Sequence, residues 1–251
     1  MYNLLISLGI AALAFTLGVV VTGTFIAGFI PAILAVGIAY VLLARRTTRQ
    51  LQAAMEHVGA TLKKIRPEDP PHVRKQRLDE AIKLLEGARR FGRWQFLVNA
   101  SVDSQLGALA YIQQDWKRAR PSLQKAWMRD WTAHTMLAAI DFREKNVDGA
   151  VKRLEKVVGP AKKEAVFWGV FAWILAESDR RDEALAVVTR GLKEMPASES
   201  LKALQDSLSN KKKVRTNLFA PMWYTFFPEQ VPMQRVTAPP VRGKGYPMPR
   251  R

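Results

Sequence analysis

The chain has 251 residues, no cysteine, and 39 Lys/Arg against 22 Asp/Glu, a formal net charge of +17 at pH 7. Without cysteine, disulfides, thiolate nucleophiles and Cys-ligated metals are excluded. The length allows one or two domains. No Asp, Glu, Lys or Arg precedes Arg45, so the whole basic excess lies on residues 45–251. Such an excess suits nucleic acid, anionic lipid or an acidic partner protein. No nucleic-acid reader motif accompanies it, and beside an apolar segment lipid or a membrane-bound partner is the favoured reading.

From Leu4 to Leu43 the sequence runs for forty residues without a charge. A helix of about 20 residues crosses a bilayer core, so the run is long enough for two spans. Thr22-Gly23-Thr24 offers a break, which predicts spans over Leu4–Val21 and Phe25–Leu43. A turn nearer Gly28 and Pro31 is the alternative and leaves a short second span. Small residues recur on both segments (Gly9, Ala12, Gly18; Ala27, Gly28, Ala35, Gly37, Ala39). They suit close packing of a hairpin, although Gly and Ala are also common in any membrane helix. A secretory signal fits poorly, because no basic n-region precedes the run and a second apolar stretch follows at once. Arg45, Arg46 and Arg49 flank the second span whereas the linking turn is uncharged. The positive-inside rule then places residues 45–251 and the short N-terminus in the cytoplasm. These arginines are also candidates for contact with anionic headgroups.

Residues 45–71 read as a juxtamembrane helix, with Leu51, Ala54, Met55, Val58 and Leu62 at helical spacing, closed by the Pro67–Pro71 linker. Amphipathic helices with short links follow over residues 72–210. Three segments align. The first carries Leu106-Gly107, Ala119, Leu123 and Ala126; the second Met136-Leu137-Ala138-Ala139, Ala150 and Leu154; the third Trp168, Phe171-Ala172, Ala184 and Pro196. Ala119, Ala150 and Ala184 are 31 and 34 residues apart, and Leu78–Ala88 repeats the second half of the pattern. The second segment lacks the closing proline. In these residues the chain resembles the tetratricopeptide repeat family, whose period is about 34 residues. After the apolar hairpin (1–44) the resemblance implies an α-solenoid of about three to four helix pairs, with Ser198–Leu208 as its closing helix, and so an all-α protein. Small side chains let paired helices approach, and stacked pairs bury the apolar faces that one pair alone cannot.

The resemblance further implies a concave groove lined by the first helix of each pair. Its positions here are Ser104, Ala108 and Tyr111, then Thr135, Ala139, Phe142 and Arg143, then Gly169, Trp173 and Glu177. Such a groove suits an apolar or aromatic peptide; ordinary packing between repeats is the competing reading for Tyr111, Phe142 and Trp173. Ser104, Ala108 and Met136 stand where one subgroup of the family clamps a chaperone's terminal carboxylate with Lys, Asn and Arg, so that ligand is not expected.

Residues 211–251 carry nine Lys/Arg and one acid, Glu229. Lys211-Lys212-Lys213 opens the segment and is a second candidate for lipid or acidic surfaces. Phe219, Met222, Trp223, Tyr224, Phe226 and Phe227 form an aromatic run between prolines, and the remainder is Pro/Gly/Arg-rich and cannot form a core. The aromatic run is expected to dock. A partner protein, the bilayer interface and the chain's own groove compete for it, with disorder as the further alternative.

Nothing announces a reaction. The three histidines, His57, His72 and His134, show no metal spacing, and no HExxH, P-loop, GxGxxG or GxSxG occurs. The acid pairs Glu68-Asp69, Asp79-Glu80 and Asp182-Glu183 lie at helix starts or in a linker, where they complement helix dipoles. No enzyme activity, metal, cofactor or small-molecule substrate is expected. The expected role is a membrane-anchored interaction scaffold, an accessory or assembly subunit of a larger membrane complex. The alternative is a membrane-surface organiser that binds anionic lipid and self-associates.

Overall fold

The computed structural model describes residues 2–64, 69–94 and 97–231. Among them there are helices and turns and no strand. Helix α1 spans Tyr2–Thr22, and the chain reverses at Gly23, whose φ of +67° an L side chain rarely adopts. A single 3-10 turn, Ile26–Gly28, leads into α2, Phe29–Lys63. The reversal falls at the expected Thr22-Gly23-Thr24 break. Pro31 does not terminate α2 because it lies in the first turn, where no intrahelical donor is lost.

The hairpin helices are in close contact. A Cβ at Gly28 would lie within 2.9 Å of the Phe15 ring and within 2.8 Å of Val19, so glycine is what permits the crossing. Leu13, Leu17, Val20, Ile33 and Leu34 all point outward. Both helices are long and apolar enough to cross a membrane.

Helix α2 continues without a break past Arg45 for another turn after turn, and its far half packs on α3, Pro71–Ala88. Val58, Ala81, Leu85 and Leu109 form the core of this junction, with Met55 and Leu62 against it. The Leu78–Ala88 segment thus packs on the helix that emerges from the apolar hairpin.

Three helix pairs follow: α4 (Val98–Ile112) with α5 (Trp116–Leu123), α6 (Trp131–Arg143) with α7 (Val147–Lys156), and, after the short α8 (Val158–Ala161), α9 (Ala165–Glu177) with α10 (Arg181–Glu194). All three turn corners in the same way. Gln114, Lys145 and Asp179 have positive φ. In each pair the next residue's N–H (Asp115, Asn146, Arg180) donates to a carbonyl five positions back, on Ala110, Asp141 and Leu175. This is the Schellman arrangement, which satisfies the last carbonyls of a helix. Asp115 and Asn146 then cap the following helix by accepting from Arg118 N and Gly149 N. Ala119, Ala150 and Ala184 are fully buried at the crossings, and Gly107 admits Leu123, which a Cβ would meet at 2.6 Å.

A polar staple holds the middle pair. Asp141, 2% exposed, accepts from Arg120 Nη1 of α5 at 2.7 Å and from Arg153 Nε of α7 at 2.5 Å. Burial alone lowers the Arg120 pKa, but hydrogen bonds to Asp141 and Glu144 outweigh it and the net shift is upward. Helix α11 (Glu199–Ser209), capped by Ser198, closes the series and packs on α10.

Candidate functional site

Helices α4, α6 and α9 bring Tyr111, Arg143, Gly169 and Trp173 to one face, and that face is filled by the chain's own C-terminal segment. After α11 the chain forms a 3-10 turn at Thr216–Phe219, the short helix α12 at Trp223–Phe226, and a last 3-10 turn at Pro228–Gln230. Ser200 Oγ donates to the Leu218 carbonyl at 3.0 Å and ties the segment to α11. Phe219, Trp223, Phe226 and Phe227 are all buried in the main core. Of the surfaces that competed for the aromatic run, its own groove is the one it occupies in the isolated chain.

The seat is shaped ring by ring. Phe227 meets Trp173 edge-on at 4.5 Å and stacks on Trp223 at 4.9 Å. Trp173 also contacts Trp223 at 5.5 Å and Phe142 at 5.2 Å. Phe226 lies 6.0 Å from Trp131. Phe219 lies against Gly169, where a Cβ would come within 2.6 Å of the ring. Glycine at that groove position is thus the space the tail enters. Offset and edge-on rings of this kind add about 0.5–1.5 kcal/mol per pair to simple burial.

Arg143 is the clamp. Its Nη1 donates to the Tyr111 hydroxyl oxygen at 2.7 Å, and its Nη2 donates to the Phe226 carbonyl at 3.0 Å and to both Glu229 carboxylate oxygens at 2.7 and 2.9 Å. The guanidinium also lies over the rings of Trp116, Phe227 and Tyr111 at 4.4, 5.2 and 5.4 Å. Tyr111 Oη donates to the Phe226 carbonyl at 2.5 Å. Burial pushes the Tyr111 phenol well above its ordinary pKa, against the opposing pull of Arg143, so it stays a neutral donor. Trp223 Nε1 donates to Gln230 Oε1 at 2.9 Å. The result is a buried aromatic seat whose polar atoms bind backbone and carboxylate. It is an arrangement for holding a peptide segment.

The remaining groove positions divide. Thr135 is buried with its hydroxyl donating back to the Trp131 carbonyl, Ala139 is buried in the core, and Ser104 donates to Asp130 across to α6 at 2.5 Å. Ala108 is half-buried against the core. Glu177 is exposed at the end of α9. Within the tail, Tyr224 is half-buried and Met222 is exposed, because its position in the last turn before α12 points it outward. Arg45, Arg46 and Arg49 are exposed on α2 where the apolar stretch ends, and Lys211–Lys213 are exposed after α11, with Lys212 3.6 Å from Asp206. The Pro/Arg-rich end from residue 232 and Pro67 and Glu68 of the linker lie outside the described residues.

In the sequence the groove positions and the tail were read separately. Glu229 and the Phe226 carbonyl as partners of Arg143 went unnoticed; the one acid in a basic tail was the available signal. Also unnoticed were Asn3, Ser7 and Thr47, the polar residues that the hairpin buries at its open end. Among the described residues no group of three or more His, Cys, Asp or Glu could hold a metal ion. Compared with protein-family models, curated proteins and solved structures, the chain matches none.

Proposed function

We propose that this chain is a non-catalytic, membrane-anchored scaffold, an accessory or assembly subunit of a larger membrane complex. The observation that carries the reading is α2: one unbroken helix serves both as the second apolar span and as the packing partner of α3. An anchor built this way fixes the helical domain relative to the bilayer, which suits a part that positions other subunits. The domain lies on the cytoplasmic side with both termini, a reading that the arginines after the second span support. Its repeat architecture is of the tetratricopeptide kind; the three shared Schellman turns and the buried alanines at the crossings support this.

The groove already holds an aromatic segment, so partner subunits meet the outer surfaces and the hairpin, or displace the tail. Ile112, Trp127 and Met128 are large apolar side chains exposed on the domain. The test is extraction of the tagged full-length protein from its native membrane in mild detergent, with mass spectrometry of the co-purifying proteins. A stoichiometric set of membrane proteins is expected. A lone protein would count against the accessory-subunit role and favour action on lipid through the exposed basic residues.

A further inference from the structure

The open end of the hairpin contains a small polar recess. Tyr2, at the start of α1, packs edge-on against Trp94 at 5.3 Å. The recess, about 260 Å³, is lined by Asn3, Leu43, Arg46, Thr47, Gln50 and Trp94. That is below the roughly 300–1,000 Å³ of ordinary small-molecule pockets. Asn3 is only 2% exposed, in a helix otherwise buried only at Ser7. Its Nδ2 donates to Thr47 Oγ1 at 3.1 Å, while that hydroxyl donates to the Leu43 carbonyl at 3.0 Å. In this arrangement the Asn3 NH2 faces Thr47, and its Oδ1 is a buried acceptor without a hydrogen-bond partner among the described residues. A buried acceptor without a donor is unfavourable, and each such case in a native fold calls for a missing partner. Arg46, on the same wall, is exposed and forms no ion pair among the described residues.

Asn3 and Arg46 both line this recess, and among the described residues Arg46 has no anionic partner and Asn3 Oδ1 no N–H or O–H donor. The depth is also informative. Helix α1, 21 residues at about 1.5 Å each, matches a bilayer core of about 30 Å. Its first turn and the first basic residues of α2 then lie at the headgroup level, where Trp and Tyr are enriched.

We propose that the recess seats one phospholipid headgroup bearing both a phosphate and a hydrogen-bond donor, as in ethanolamine or glycerol headgroups. The phosphate lies against Arg46 and the donor reaches Asn3 Oδ1. A choline headgroup carries the same phosphate but its quaternary ammonium has no N–H, so it satisfies only half the site. This inference rests on the membrane-anchor reading and adds the chemistry of one bound lipid to it.

The experiment is native mass spectrometry of the full-length protein, purified in detergent and exchanged with equal amounts of phosphatidylcholine, phosphatidylethanolamine and phosphatidylglycerol of identical acyl chains. Retention of one phospholipid is expected, with the ethanolamine and glycerol forms favoured over choline by about tenfold, the worth of one buried hydrogen bond. Arg46→Gln, an exposed position whose change leaves the fold intact, lowers retention of all three by about tenfold. Asn3→Ala removes the preference against choline. Equal retention of the three headgroups by the unaltered protein would overturn the site, as would retention indifferent to Arg46→Gln or displacement of the lipid by inorganic phosphate. Release of the protein from its membrane by alkaline carbonate without detergent would instead overturn the anchor itself.

Discussion

Helices α1 and α9 are the two most uniformly apolar in the chain, and they have opposite fates. Helix α9 buries every residue from Val166 to Leu175, and its faces are taken up by α6, α7, α10, α11 and the tail. Helix α1 buries only Asn3 and Ser7 and turns its leucines and valines outward. Apolar composition alone does not distinguish them. Length does: 13 residues of helix reach about 20 Å and cannot cross a core of about 30 Å, whereas 21 residues can. Company does too, since among the described residues α1 leans on α2 and the turn before it, with Tyr2 against Trp94 at one end. An apolar helix with enough neighbours is a core; one without them needs a different solvent.

The sharpest way to break this comparison is a matched pair of truncations. Phe171→Ala in α9 is expected to destabilise the helical domain by about 3–5 kcal/mol, the usual cost of emptying a packed aromatic site. Leu13→Ala in α1 is expected to leave domain stability within about 0.5 kcal/mol. Denaturant unfolding of the detergent-purified protein, followed by tryptophan fluorescence, reads both; similar losses would erase the distinction.

The tail is the second point of contrast, because it gives α9 a cover that α1 lacks. Arg143→Ala removes hydrogen bonds to the Phe226 carbonyl and to the Glu229 carboxylate and is expected to cost about 1.5–3 kcal/mol. Arg143→Lys should recover only part, since a compact ammonium cannot reach Tyr111, the Phe226 carbonyl and Glu229 together as the planar guanidinium does. Gly169→Ala puts a methyl group into the Phe219 ring and is expected to cost about 1–3 kcal/mol. Both variants should expose Trp223, Phe226 and Phe227 to chymotrypsin, which cleaves beside aromatic residues. Unchanged resistance would mean that the tail is held by something other than this seat.

The smallest expected effect concerns His134 on α6. Burial lowers its pKa below the ordinary 6.5, helped by the nearby Arg153 charge. A histidine held neutral in the fold takes up its proton more readily when unfolded, so stability rises with pH below about 6.5 and is lost as pH falls toward the folded pKa. His134→Gln should flatten that acid limb in thermal melts between pH 5 and about 6.5. A limb of unchanged slope would place the acid sensitivity elsewhere.

Much of this architecture was legible because it depends on local chemistry. The uncharged run and Gly23 marked the hairpin and its turn, and helical spacing from Leu51 to Leu62 marked the extension of α2. The corners at Gln114, Lys145 and Asp179 were not legible, since none has the glycine that usually signals a left-handed residue at a helix end. Nor was the partner of the Leu78–Ala88 half-unit, because α2 was counted with the membrane rather than with the domain. For the tail, aromatic density showed that it docks, and the surface it chose depended on long-range fit. Gly169 and Arg143 supply that fit, and both stood among the groove positions without any local sign of what they would receive.

The central claim is that the hairpin crosses a membrane and holds the helical domain on one side of it. The natural chain has no cysteine, so single-cysteine labelling tests it without background. Thr24→Cys places a thiol in the exposed hairpin turn and Lys213→Cys places one on the exposed surface after α11. In intact cells treated with a membrane-impermeant maleimide, the Thr24→Cys protein is expected to react directly, and the Lys213→Cys protein only after the membrane is permeabilised. Equal reactivity of the two before permeabilisation would contradict the account.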